Sequence, residues 1–188
     1  MKKKKKNKLK FKQKNCYCHR CNPKKCNCQH RNDLCVIDMG GEEDDIHIRM
    51  EKLKVRGEPY WWLYMVKCKV CNDYWLIAQE ERHNDIYCLY RLNLLQVYEI
   101  KEKDIWPEIF DKFENLLKIG YENNKRCSFL DPENDSPIAY TIEDLAKERP
   151  FIKISELSKL LNIDIETTLK ISEKVIKNNQ LLKITLDT

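Results

Sequence analysis

Residues 60–80, YWWLYMVKCKVCNDYWLIAQE, decide the fold. Two runs dense in aromatic and β-favouring residues, Tyr60 to Cys68 and Tyr74 to Gln79, flank the turn Cys68-Lys69-Val70-Cys71. They predict the two arms of a hairpin tipped by a Cys-x-x-Cys knuckle, a turn that aims two sulfurs at one tetrahedral ion. Such a knuckle needs a second pair of ligands from elsewhere in the chain.

That pair lies upstream. Cys16, Cys18, Cys21, Cys26, Cys28 and Cys35 fall within twenty residues, interleaved with His19 and His30. Cys18-His19-Arg20-Cys21 has the spacing to complete a ribbon with Cys68 and Cys71, and Cys16 can replace Cys18. Cys16, Cys26, Cys28, His30 and Cys35 then remain for a second four-ligand site, so one Zn²⁺ is expected and ligands for two are present. Residues 15–31 hold little beyond Tyr17 to bury, so hydrophobic area cannot order them and a metal must. Ten cysteines in 188 residues fall below the density of a disulfide scaffold, which favours thiols in a reducing, cytoplasmic setting. Cys88 alternates with apolar neighbours and Cys127 precedes Ser-Phe-Leu, so both read as small core residues.

Around the hairpin, Ile46, Ile48 and Met50 alternate with polar residues as a half-buried strand would, and Ile86 to Leu92 continues the pattern. About four antiparallel strands result. A long helix opens near Asp104-Ile105-Trp106-Pro107 and closes at Gly120, packing Ile109, Phe110, Phe113, Leu116, Leu117 and Ile119 on the sheet. Residues 131–140 read as a linker. Beyond it, Thr141 to Asp144 has capping-box spacing, Ser155 caps a helix to Leu161, and Asp164 or Ile165 starts another through Asn178. Gln180 to Leu186 alternates as a strand. The fold class is therefore α+β: a basic tail over residues 1–14, a zinc-ribbon-like antiparallel sheet with a packed helix over 15–130, and a small three-helix unit over 141–188.

Charge is split unevenly. Residues 1–31 carry thirteen Lys or Arg and no acid; the remainder carries twenty-two against thirty acids, a net of −8. The basic pI thus belongs to the tail, which reads as a solubilising leader, and the body is acidic. No apolar run follows the lysines as a secretory signal requires, and none approaches the roughly 18 residues of a membrane span. Catalysis leaves no constellation: four glycines form no phosphate loop, no His-Glu-x-x-His occurs, and His83-Asn84-Asp85 reads as a turn after Glu80-Glu81.

Two resemblances add to this reading. Residues 68–82 with 106–114, Trp-Pro-Glu-Ile-Phe-Asp-Lys-Phe-Glu, look like small bacterial zinc-ribbon proteins, some of which resemble immunity proteins of polymorphic toxin systems; the likeness spans residues 60–120. It implies a non-catalytic protein that binds a toxin and occludes its active site. A basic toxin would be steered by acidic patches such as Glu42, Glu43, Asp44 and Asp45 or Glu80 and Glu81. Residues 154–163, Ile-Ser-Glu-Leu-Ser-Lys-Leu-Leu-Asn-Ile, resemble the first helix and turn of a winged-helix domain within 141–186. Lys170, Lys174 and Lys177 share one face of the next helix and would suit phosphates, but Glu166 and Glu173 precede Lys170 and Lys177 at ion-pair spacing. The competing function is accordingly a nucleic-acid-binding transcriptional regulator.

Overall fold

The computed structural model describes residues 26–41, 46–57, 62–82, 85–125 and 136–185. Its centre is a five-stranded antiparallel sheet in the order β1-β5-β4-β3-β2. These strands are β1 (Leu34–Asp38), β2 (Met50–Gly57), β3 (Trp62–Cys68), β4 (Tyr74–Glu80) and β5 (Ile86–Leu92). The central pairs run in continuous register, with Val66 opposite Trp75 and Ala78 opposite Cys88.

Side chains alternate between the two faces of a strand, and here both faces are covered. On one face Leu63, Met65, Leu76, Ala78, Ile86 and Cys88 join the helices that follow the sheet in a single buried cluster. On the other, Tyr64, Val66, Cys68, Trp75, Ile77, Tyr87 and Leu89 meet Cys28, Ile46 and Met50. The second face is closed by the segment around Cys28 and by the single-turn helix α1 (Ile46–Arg49).

Three sequence expectations change at this level. Ile46, Ile48 and Met50 do not lie on one strand. Ile46 and Arg49 are buried three residues apart while Ile48 is 53% exposed, so the segment turns once as α1 before β2 begins. A fifth strand, β1, completes the edge beside β5. The long helix is broken: a π-helical turn spans Glu99–Lys103, Asp104 adopts φ +57°, a 3₁₀ turn follows Pro107, and α3 covers Phe113–Glu122. Gly120 lies inside α3 rather than at its end. Tertiary polar contacts explain the break. Lys54 donates to the Ile100 carbonyl at 2.6 Å, Arg56 binds Asp111 at 2.8 Å, and the Glu148 carboxylate accepts the Phe113 and Glu114 N–H groups at the start of α3. The apolar residues named for that helix still pack together, with Phe110, Phe113, Leu116, Leu117 and Ile119 buried.

Between β5 and the π turn lies α2 (Leu94–Tyr98), capped by Asn93 and Gln96 in a reciprocal box. The C-terminal elements are α4 (Ser136–Glu148), β6 (Ile152–Lys153), α5 (Ile154–Leu161), α6 (Ile165–Asn178) and β7 (Ile184–Thr185). Helix α4 begins inside the expected linker, whose residues 131–135 lie outside the described residues. Thr141 sits within this helix, its hydroxyl donating to the Pro137 carbonyl at 2.7 Å, so it is not a cap. The cap position of α5 is Lys153 rather than Ser155. Asp164 caps α6, accepting the Thr167 N–H at 2.8 Å. The expected strand over residues 180–186 shortens to β7, which pairs parallel to β6. Ile138, Ile142, Leu145, Leu157, Leu161 and Ile171 share the buried cluster of the sheet's helical face. Arg82 bridges the two regions, bonded to Asp144 at 2.8 Å and stacked on the Phe113 ring. Among the described residues no helix is long and apolar enough to cross a membrane.

Three carboxyls are held below their ordinary values: Asp104 by Lys54 and then Trp106 Nε1, Glu143 by Lys147 and then Asn179, and Asp164 by Thr167. Stabilisation from depressed carboxyls is present above their unfolded values, 3.8 for Asp and 4.5 for Glu, and is lost as pH falls through the lower folded values. With a chelator present, so that proton competition for thiol ligands plays no part, melting temperatures measured from neutral to acid pH should therefore stay level, then decline below about pH 4.5. The decline should be shallow and reduced by salt, because Asp104 and Asp164 are exposed and Glu143 is only half-buried. A melting temperature that rises on acidification would contradict the assignment.

Candidate metal centre

Strand β3 delivers Cys68 to the end of the sheet, where the chain turns through Lys69, Val70 and Cys71 into β4. Asn72 closes the turn at φ +66°, a left-handed conformation that Asn tolerates better than most residues, and its N–H donates to the Cys68 carbonyl at 3.0 Å. The Val70 N–H points at Cys68 Sγ, 3.4 Å away. The knuckle is anchored from behind: the Cys68 N–H bonds the Asp73 carbonyl, and the Lys69 N–H bonds the Arg49 carbonyl at the end of α1.

Facing it is the segment Cys26-Asn27-Cys28, which leads into a 3₁₀ turn over Cys28–His30 and then β1. The Sγ atoms of Cys26, Cys28, Cys68 and Cys71 all lie within 4.8 Å of one another. A divalent ion in tetrahedral sulfur coordination, with bonds of about 2.3 Å, holds its ligands about 3.8 Å apart. The four thiols therefore fit one metal ion after a small contraction. Cys28 and Cys68 are fully buried, Cys26 is half-buried and Cys71 is exposed.

Without a cation Cys28 and Cys71 resist ionisation. Burial, reinforced by the charges of Cys68 and Cys71, pushes the Cys28 thiol far up, and burial pushes Cys71 up to about 12 despite the N–H bond from Asp73. Burial acts on Cys68 in the same sense, but N–H bonds from Cys71 and Val70 and the neighbouring thiols outweigh it and bring Cys68 below its ordinary value. Cys68 is favoured as a thiolate while Cys28 and Cys71 are not, so a metal ion that enters must displace protons.

Among the described residues the pair that meets the Cys68 knuckle is Cys26-x-Cys28, and the Cys18-x-x-Cys21 pair that spacing favours is not among them. Cys16, Cys18 and Cys21 lie outside the described residues. His30 is exposed, with Nε2 3.1 Å from the Gln29 amide, and does not join the four sulfurs. Cys35 is half-buried on β1 and also stands apart from them. Cys88 is a fully buried core residue of β5, and Cys127 lies outside the described residues.

Comparison with protein-family models, curated proteins and solved structures returns no match for this chain.

The remaining expected site residues divide. Glu42, Glu43, Asp44 and Asp45 lie outside the described residues. Glu80 is 1% exposed, and its carboxylate accepts the Arg82 N–H at 2.8 Å, so it does not form a surface patch with Glu81, which is exposed. Alternation places Glu80 on the inward side of the last β4 residue, where local structure satisfies it. Lys170, Lys174 and Lys177 line a shallow groove on α6 together with Glu173, and Lys170 is paired with Glu166 at 3.3 Å.

Sequence reading missed Arg91. Its Nε donates to Asp33 at 2.9 Å, one Nη donates to the carbonyls of Cys28 and Arg31 at 2.6 and 3.2 Å, and the other Nη binds the Asp73 carboxylate. The guanidinium lies 4.2 Å from the centre of the Trp75 ring. A signal existed: in the β5 run, alternation puts Arg91 on the same face as Tyr87 and Leu89, where a charge needs dedicated partners.

Proposed function

We propose that this chain is a non-catalytic zinc protein whose body binds another protein, as an immunity protein that neutralises a bacterial toxin. The four-sulfur cluster carries the first half. Four thiolates fill a tetrahedral shell, leave no position for substrate or water, and match the donor set of structural zinc sites. Zinc there staples the segment before β1 onto the sheet, in the manner of a ribbon.

Protein binding is favoured by what is exposed. Leu94, Leu95 and Tyr98 stand out from α2 at 78%, 64% and 52% exposure, and Phe151 and Leu181 from the C-terminal unit at 61% and 89%. Large apolar side chains presented to solvent mark protein contact surfaces when they cluster. The α6 groove, by contrast, mixes Glu173 with its three lysines. With Glu80 buried, acidic steering of a basic toxin draws on Glu81 and on other exposed acids of the described surface, such as Glu102 and Asp104.

A second reading rests on the helix pair. Helices α5 and α6 are joined by three residues, with Asn162 left-handed and Asp164 capping, and α6 presents Lys170, Lys174 and Lys177 along one groove. That order of elements suits a winged-helix nucleic-acid regulator.

One experiment separates them. The protein is co-expressed with the product of the gene directly upstream, and growth is followed; its affinity for that product and for duplex DNA is then measured with and without residues 1–14. Rescue of growth, with partner affinity retained after the deletion, supports neutralisation. Tight, sequence-dependent DNA binding by the shortened chain, weakened when the three lysines are neutralised, would overturn it in favour of regulation.

A further inference from the structure

We propose that Arg91 is the positioning residue of the metal centre, holding the Cys26-x-Cys28 arm in liganding geometry against the Cys68 knuckle. This rests on reading the four thiols as a metal site. The two halves of that site come from different parts of the chain. The knuckle is built into a hairpin whose strands are paired from Trp62 to Lys67, so its sulfurs are placed by the sheet. The arm has no such frame. Among the described residues before β1 there is one 3₁₀ turn, and Cys28 is the buried residue of that turn. Ordering it by metal alone would charge the full conformational cost to metal binding.

Arg91 removes part of that cost. Its backbone belongs to β5 and is fixed opposite Trp75, and its own N–H donates to the Asp33 carbonyl at 2.7 Å. From that rigid base the guanidinium reaches both halves at once. It donates to the carbonyls of Cys28 and Arg31 on the arm, and it binds the Asp73 carboxylate two residues beyond Cys71. The Trp75 ring beneath it sets the plane of the fork, and Asp33 takes the remaining Nε–H. A planar guanidinium can satisfy four acceptors in fixed directions; an ammonium on a flexible stem can reach only some of them. Asp33 and Asp73 neutralise its charge, so the effect is geometric. Arg91 touches no sulfur in this arrangement and acts through the backbone that carries one.

The test measures the affinity of the full chain for zinc, by competition with a chromophoric chelator, and the absorption spectrum of the Co²⁺ form. Arg91→Met should still bind one ion with a tetrahedral thiolate spectrum, at an affinity about 10–100-fold lower, the range found when partners of metal ligands are removed. Arg91→Lys should recover part of the loss. Unchanged affinity in Arg91→Met overturns the proposal, and so does an Arg91→Lys no better than Arg91→Met. If Arg91→Met fails to fold, Asp33→Ala and Asp73→Ala take its place. Each removes an anchor of the guanidinium and should weaken zinc binding several-fold, and wild-type affinity in both overturns the proposal. A wild-type chain that takes up neither zinc nor cobalt would instead overturn the metal-centre reading itself.

Discussion

Cys71→Ser is expected to lose about 3–4 kcal/mol of stability in zinc-containing buffer, the linkage contribution when free zinc stands several hundred-fold above the dissociation constant. Cys71 is the exposed corner of the cluster, so its replacement leaves little packing defect and reports on the ligand shell. Cys88→Ser should cost less, about 1–3 kcal/mol, because it places a hydroxyl in a fully buried position of β5 without opening the site. Denaturant unfolding with and without chelator separates the two causes. Chelation should bring wild type and Cys71→Ser to the same midpoint, while the deficit of Cys88→Ser persists. A wild-type midpoint indifferent to chelator, in a protein with less than one zinc per chain, would sink the structural role of the ion.

Trp75→Ala should lose about 3–5 kcal/mol, the range for deleting a large aromatic side chain from a packed interior. Trp75 is fully buried in the cluster that includes Cys28 and Cys68, and it is the platform on which Arg91 lies. The variant should therefore also bind zinc more weakly, whereas Trp75→Phe should keep most of the stability. Equilibrium unfolding and chelator competition on the same preparations provide both readouts. A stability loss below about 1 kcal/mol would show that the face around Cys28 is looser than its burial implies.

The central hairpin was legible because its signals agree: aromatic and β-branched density, alternation, and a Cys-x-x-Cys at the turn all point to strand, knuckle, strand. The cysteine pair that faces its knuckle was not. Six thiols within twenty residues admit several combinations, and their order in sequence does not say which reach the knuckle once Arg91 and Asp33 fix the course of the arm. The broken helix was hidden for a similar reason. Its apolar spacing continues through Ile109 and Phe113, but Arg56, Lys54 and Glu148 draw the backbone aside through contacts made far away in sequence. Glu80 read as surface because it adjoins Glu81, and a satisfied buried carboxylate leaves no local mark. The α1 turn imitated a strand over five residues, too few to separate a period of 2 from one of 3.6.

Both faces of the sheet are buried, and that would give an ion at the four thiols a task during folding. In β3, Tyr64, Val66 and Cys68 lie toward one cluster, Leu63 and Met65 toward the other. A strand with apolar residues on both sides has little to forbid a slip by one position, since either set can be buried either way up. Such a slip would carry Cys68 to the face of the helices and leave Cys28 without its counterpart. An ion held by the four thiols would be retained only by the pairing that brings Cys68 beside Cys28, so metal uptake would act as a proofreading step that withdraws correctly paired chains from the mixture.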